Sequence, residues 1–202
     1  MKSSISSFFL GLPKRIFTIP LLFFFFFQEL KTENLKTNTV NDLQKVLKEI
    51  SQKNNSIFFQ KTLKAVRSFY DAEKMIQMII GVHWNNISEA KKKELTEVFQ
   101  TYIASNYLRM FEKISNPSFE QSAEKKIGKN YRLIKTFLIL NKDERVEINY
   151  LLLKKNEEWK IFDVLLAGSV SEIATKKSEF RKYLKNGNIE ELINALKKVS
   201  NL

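Results

Sequence analysis

The ionisable side chains set narrow limits on the chemistry this chain could run. Its 202 residues include no cysteine and one histidine, His83. That excludes a thiolate nucleophile, a disulfide framework and any metal cluster built on Cys or several His. As a general base, His83 would need an orienting partner, which the sequence does not identify. All five glycines are isolated, so no phosphate-cradling loop and no nucleotide cofactor is implied. Asp163 is the more interesting ionisable residue, set in an extended run between apolar neighbours. Two readings of it stand side by side. It is a carboxylate hydrogen-bonded to a neighbouring helix or loop, or the base of a small α+β enzyme with an apolar active-site pocket.

The element that positions Asp163 begins at Glu157 and runs, through a corner, to Leu184. Strict alternation puts Trp159, Ile161, Asp163 and Leu165 on one face of a strand and Lys160, Phe162, Val164 and Leu166 on the other. Both faces are mainly apolar, so both should be covered. Ala167-Gly168-Ser169 breaks the extended run, and a helix follows with Ser169 or Ser171 as its N-cap, ending near Leu184 ahead of Gly187. Upstream, period-two runs predict strands over Tyr131–Leu140 and Arg145–Leu153, with a weaker one near Phe119. The connections Asn141-Lys142-Asp143-Glu144 and Lys155-Asn156-Glu157-Glu158 are short and polar, which implies an antiparallel meander.

The first half reads as helices. Val40, Leu43, Leu47 and Ile50 recur at helical spacing, and Ile57, Phe58, Phe59, Leu63 and Val66 suggest a second helix. Asp71 can cap a third that carries Met75, Ile76, Ile79 and Ile80. Ser88 caps the longest, whose apolar face holds Leu95, Phe99, Tyr102, Ile103, Tyr107, Met110 and Ile114. Asn116-Pro117 ends the helical half. The expected class is α+β: a C-terminal antiparallel sheet of about four strands, packed by helices from both ends of the chain.

Residues 1–28 look like an export signal, cleaved or retained as an anchor. Lys2, Lys14 and Arg15 lead into the apolar block Ile16–Phe27, too short at about 18 Å of helix to cross a ~30 Å hydrocarbon core. A buried core segment is the competing reading, against which five consecutive phenylalanines, Phe23–Phe27, weigh heavily. Residues 29–38 are polar and aperiodic, a linker, and residues 39–202 then form one domain. The net charge is +12, or +9 without the three basic residues of 1–28, which carry no acid. Lys91-Lys92-Lys93 and Lys197-Lys198 interleave with Glu94, Glu97, Glu190 and Glu191, as solvated helix faces do. Nucleic acid is a poor partner for an exported chain; anionic membrane headgroups are a better one.

Several short motifs, in order, resemble those of the MlaC family of periplasmic phospholipid-binding proteins, also called toluene-tolerance auxiliary proteins. They are Trp159-Lys160-Ile161-Phe162-Asp163-Val164, Ala167-Gly168-Ser169-Val170-Ser171, Ser178-Glu179-Phe180 and Gly187-Asn188-Ile189-Glu190-Glu191-Leu192-Ile193. Tyr70-Asp71, Lys74-Met75, Gly81 and Trp84, then Phe99 and Tyr107, stand at the family's N-terminal motifs. Lys177 stands where the family usually has arginine, Ala174 and Thr175 replace its usual Asn-Tyr, and Leu108 replaces an alanine.

The resemblance implies a non-enzymatic, cofactor-free, monomeric carrier in the periplasm. It would hold phospholipid acyl chains in a deep apolar pocket and help maintain outer-membrane lipid asymmetry. Its implied partners are an outer-membrane lipoprotein on a porin and an inner-membrane ABC transporter complex with a hexameric MCE-domain ring. The expected pocket has helix residues Met75, Ile79, Phe99, Ile103 and Tyr107 as one wall. Its other wall would be the sheet face bearing Ile148, Tyr150 and Trp159, or the opposite face with Phe162 and Val164. A membrane-tethered interaction module is a further alternative, should the N-terminal segment be retained.

Overall fold

The computed structural model describes residues 38–50, 56–140, 144–185 and 187–200; the expected export signal, and the linker up to residue 37, lie outside them. Four helices come first: α1 (Asn38–Ile50), α2 (Ser56–Phe69), α3 (Ala72–Ile80) and α4 (Glu89–Phe111), with a 3-10 turn over Gly81–Asn86. Their starts follow from side chains that accept orphan amides. Asp71 accepts from the Lys74 N–H at 3.1 Å and Ser88 from the Lys91 N–H at 3.3 Å. In α1 the Val40, Leu43, Leu47 and Ile50 stripe is fully buried. The long helix α4 packs against α1, α2, α3 and α6 (Ile189–Val199), so it is enclosed on several sides rather than on one.

The sheet is an antiparallel meander of β1 (Ser118–Ile127), β2 (Tyr131–Ile139), β3 (Arg145–Lys155), β4 (Glu158–Leu166) and the two-residue β5 (Val170–Ser171), in that spatial order. The weak strand expected near Phe119 is thus a full member, ten residues long. The β3–β4 turn places Asn156 and Glu157 at φ 49° and 65°, the paired positive values that a two-residue hairpin needs. Beyond β4, Gly168 adopts φ 79°, and a Cβ there would sit 2.5 Å from the Glu147 carboxylate, so the corner demands glycine. Ser171, not Ser169, caps α5 (Glu172–Phe180), and a 3-10 turn carries the chain on to Tyr183.

One expectation about β4 fails. Tyr150 pairs with Val164 and Leu151 with Asp163, but Leu152 pairs with Ile161, so Phe162 is an extra residue, a β-bulge. Alternation therefore breaks, and Val164 shares the face of Ile161, Trp159 and Tyr150. That face, with Ile134, Leu138, Ile148 and Leu152, is buried under the helices. Phe162 instead turns to the opposite face, edge-on to the Tyr131 ring with centroids 5.8 Å apart. Among the described residues, no helix is long and apolar enough to cross a membrane.

Candidate functional site

Between β4 and helices α3, α4 and α5 the packing leaves an apolar cavity of about 150 Å³. Met75 and Ile79 face it from α3, one turn apart. Phe99, Ile103 and Tyr107 follow at the same four-residue step along α4, with Tyr102 and Met110 beside them. Val164 and Leu166 close it from β4, Tyr70 from the α2–α3 junction, and Ile173 from α5. Asn106, Glu172 and Lys176 supply its polar side chains, apart from the tyrosine hydroxyls.

Two buried carboxylates hold these walls in register. Asp71 caps α3 and pairs with the Lys155 ammonium at 3.1 Å, while its own N–H donates to the Ile161 carbonyl at 2.8 Å. That fixes the start of α3 on β4. Asp163 does the same for α5. One of its oxygens accepts from the N–H groups of Val164 (2.8 Å) and Ile173 (3.2 Å), and the other from the Ser171 hydroxyl (2.6 Å). Ser171 Oγ in turn accepts from the Ala174 N–H at 3.0 Å. With both oxygens engaged, and no place in the cavity lining, Asp163 is a structural anchor rather than a base. The His83 side chain makes no hydrogen bond or ion pair among the described residues and lies outside the cavity, on the 3-10 turn. No group of three metal-ligating side chains occurs among the described residues either.

Tyr70 and Tyr107 add polar but neutral groups to the cavity wall. The Tyr70 and Tyr107 hydroxyls bond to each other, their rings 6.3 Å apart. Burial pushes the Tyr107 phenol up to about 12, against the Tyr70 hydrogen bond, which pulls it down. Burial raises Tyr70 and Tyr150 as well. On α5, Glu172 is half-buried, and desolvation lifts its carboxyl above the usual range in spite of Lys176. Burial works to lower the Lys176 ammonium. A 2.8 Å hydrogen bond to Glu179, with Tyr102 and Glu172 nearby, outweighs that and raises it.

Six of the residues expected from the sequence, Met75, Ile79, Phe99, Ile103, Tyr107 and Val164, are brought together around this cavity. Ile148 and Tyr150 lie in the closed core on the same sheet face. Trp159 sits under the Arg132 guanidinium, 4.5 Å from its ring centre, and the bulge carries Phe162 away to Tyr131. Sequence reasoning placed Tyr102 and Met110 on the apolar face of α4 without assigning them to the pocket, and missed Tyr70, Asn106, Leu166, Glu172, Ile173 and Lys176 as lining residues. The signal for the last three was the helix after the Gly168 corner, whose inward side carries Glu172, Ile173 and Lys176 at steps of one and three residues.

The geometry is that of an apolar receptacle with a charged rim. The family model described as MlaC protein matches residues 37–198. Among solved structures, the chain is similar to a phospholipid-binding protein from Ralstonia solanacearum, determined in complex with a phospholipid. The two are 18% identical and align over 82% of this chain and 96% of that one, with a TM-score of 0.68. No curated protein matches the chain by sequence.

Proposed function

Because the chain belongs to the MlaC family, we propose that it is a phospholipid carrier. It takes up acyl chains between β4 and helices α3, α4 and α5 and passes lipid between membranes of the cell envelope. The observation that carries this reading is the apolar cavity, with helix side chains opposite Val164 and Leu166. A fold shared with a protein that was determined with phospholipid supports it.

The energetics suit a carrier rather than a trap. A diacyl lipid buries on the order of 30 methylenes at ~0.8 kcal/mol each, so escape into water is prohibitive. A bilayer offers nearly the same gain, which leaves exchange between membrane and protein close to balanced. The sequence carries no Gly-rich phosphate loop that would couple transfer to a nucleotide. Direction would come from partners at the two membranes, an outer-membrane lipoprotein–porin complex and an inner-membrane ABC transporter with its MCE-domain ring, and the carrier would work in the periplasm. At about 150 Å³ the cavity matches the space known to admit one benzene and falls below the roughly 300–1,000 Å³ of drug-sized sites. Loading therefore needs the helices and β4 to part, and flexible Met75 and Met110 side chains ease that.

The test is direct. Protein purified without detergent, or incubated with phospholipid vesicles, should yield phospholipid on solvent extraction and mass spectrometry. Ile103→Trp, at a half-buried lining position, should lower bound lipid by about tenfold or more while leaving the fold intact by circular dichroism. Protein that never carries or accepts lipid would sink the proposal. Wild-type loading by the Trp variant would move the tails elsewhere.

A further inference from the structure

The rim of the cavity carries a carboxylate that the protein itself leaves under-compensated. Glu172, in the first turn of α5, lines the cavity with a side chain 29% exposed. Its nearest cation is the Lys176 Nζ at 4.0 Å, beyond hydrogen-bond range, and no donor reaches its oxygens among the described residues. Lys176 is drawn the other way, to Glu179 at 2.8 Å, with its ammonium 5.9 Å from the centre of the Tyr102 ring. Asp163, the next carboxylate, is already saturated by N–H and O–H donors. A half-buried carboxylate is costly unless something donates to it. Desolvation already pushes its pKa upward, as expected of a charge with no adequate partner.

What fits there is a cationic donor delivered by the ligand, at the mouth of an apolar cavity. We propose that Glu172 accepts a hydrogen bond from the ammonium of a phosphoethanolamine headgroup whose phosphate lies against Lys176. The protein would then select amine-bearing zwitterionic phospholipids over anionic ones that lack an amine. This rests on the phospholipid reading above and adds to it a class of headgroup. The discrimination has two parts. An ammonium gains a charge-assisted bond to Glu172. A headgroup with net negative charge and no amine meets Glu172 and Glu179 with Lys176 as their shared cation, so it is repelled. A phosphocholine headgroup has the positive charge but no N–H to give, and falls between the two.

Delipidated protein is incubated with vesicles holding equal phosphatidylethanolamine and phosphatidylglycerol in a phosphatidylcholine background, and the bound lipid is extracted and quantified. The bound ethanolamine-to-glycerol ratio should exceed the vesicle ratio by about tenfold or more, the scale of one charge-assisted hydrogen bond. Glu172→Gln, isosteric and without charge, should bring it within about twofold of the vesicle ratio. Bound lipid in the vesicle ratio for the wild type, or an undiminished preference in Glu172→Gln, overturns the headgroup assignment and leaves the carrier standing. Failure to take up any of the three lipids overturns the carrier reading, and the headgroup assignment with it.

Discussion

Three phenols, the buried Tyr70 and Tyr150 and the partly buried Tyr107, stand where the helices meet the sheet, and each is held neutral chiefly by desolvation. A folded pKa above the unfolded value of 10.0 means the folded chain grips the proton harder. The stability from these neutral phenols is therefore complete below pH 10 and is lost as pH rises through about 12 for Tyr107. In an absorbance titration at 295 nm, these three of the six tyrosines should not ionise near pH 10 and should appear only with alkaline unfolding. Three single Tyr→Phe variants identify them, and ionisation of all six with a midpoint near 10 would contradict the packing. At this scale the candidate site was half legible. Helical spacing on α3 and α4 disclosed Met75, Ile79, Phe99, Ile103 and Tyr107, because a four-residue step fixes a face whatever packs on it. Lining and closed core have the same composition, so Ile148 and Tyr150 could not be separated from Val164 without coordinates.

Among the elements, α5 depends most on one side chain. Its first turn hangs on Asp163, which serves Val164, Ser171 and Ile173 at once. Asp163→Asn keeps the shape but turns an NH2 toward donors and removes the charge. It should cost about 2–3 kcal/mol, as for hydrogen bonds to a charged group. For a chain of this length that is about 5–10 °C in Tm. Calorimetry with a denaturant melt checks it; a variant as stable as the wild type would mean that Asp163 is not the anchor. Strand and helix boundaries were largely readable because period, cap and turn residues agree with one another here. Ser88, Asp71 and the Asn156-Glu157 turn are examples. The bulge at Phe162 was not readable: an extra residue has no period of its own and shows only as a shift in pairing with β3. It is also what brings Val164 to the cavity side.

For the molecule as a whole, 34 basic side chains face 22 acidic ones, and local ion pairs such as Lys91 with Glu94 and Lys197 with Glu94 leave the excess of +12 uncompensated. What is left over is a diffuse field. Sedimentation with vesicles containing anionic lipid should show binding at low salt that falls steeply once the Debye length shrinks from about 10 Å to about 3 Å, between roughly 0.1 and 1 M salt. Equal binding to neutral vesicles would remove charge from the account. The α+β class was plain from the change of period at Asn116-Pro117, whereas the order in which helices cover the sheet was not, since only tertiary contacts carry it. That covering has a consequence in time. The strands join in sequence order, so each hairpin can close as soon as its second strand exists. The helices cannot do likewise. Thr39 reaches the Trp159 carbonyl across 120 residues, and the Tyr70–Asp71 junction sits on Ile161. A chain synthesised from its N-terminus therefore carries α1 to α4 with part of their apolar surface unseated until β4 emerges, and nascent chains stopped before residue 158 are the ones that a holding chaperone should recognise.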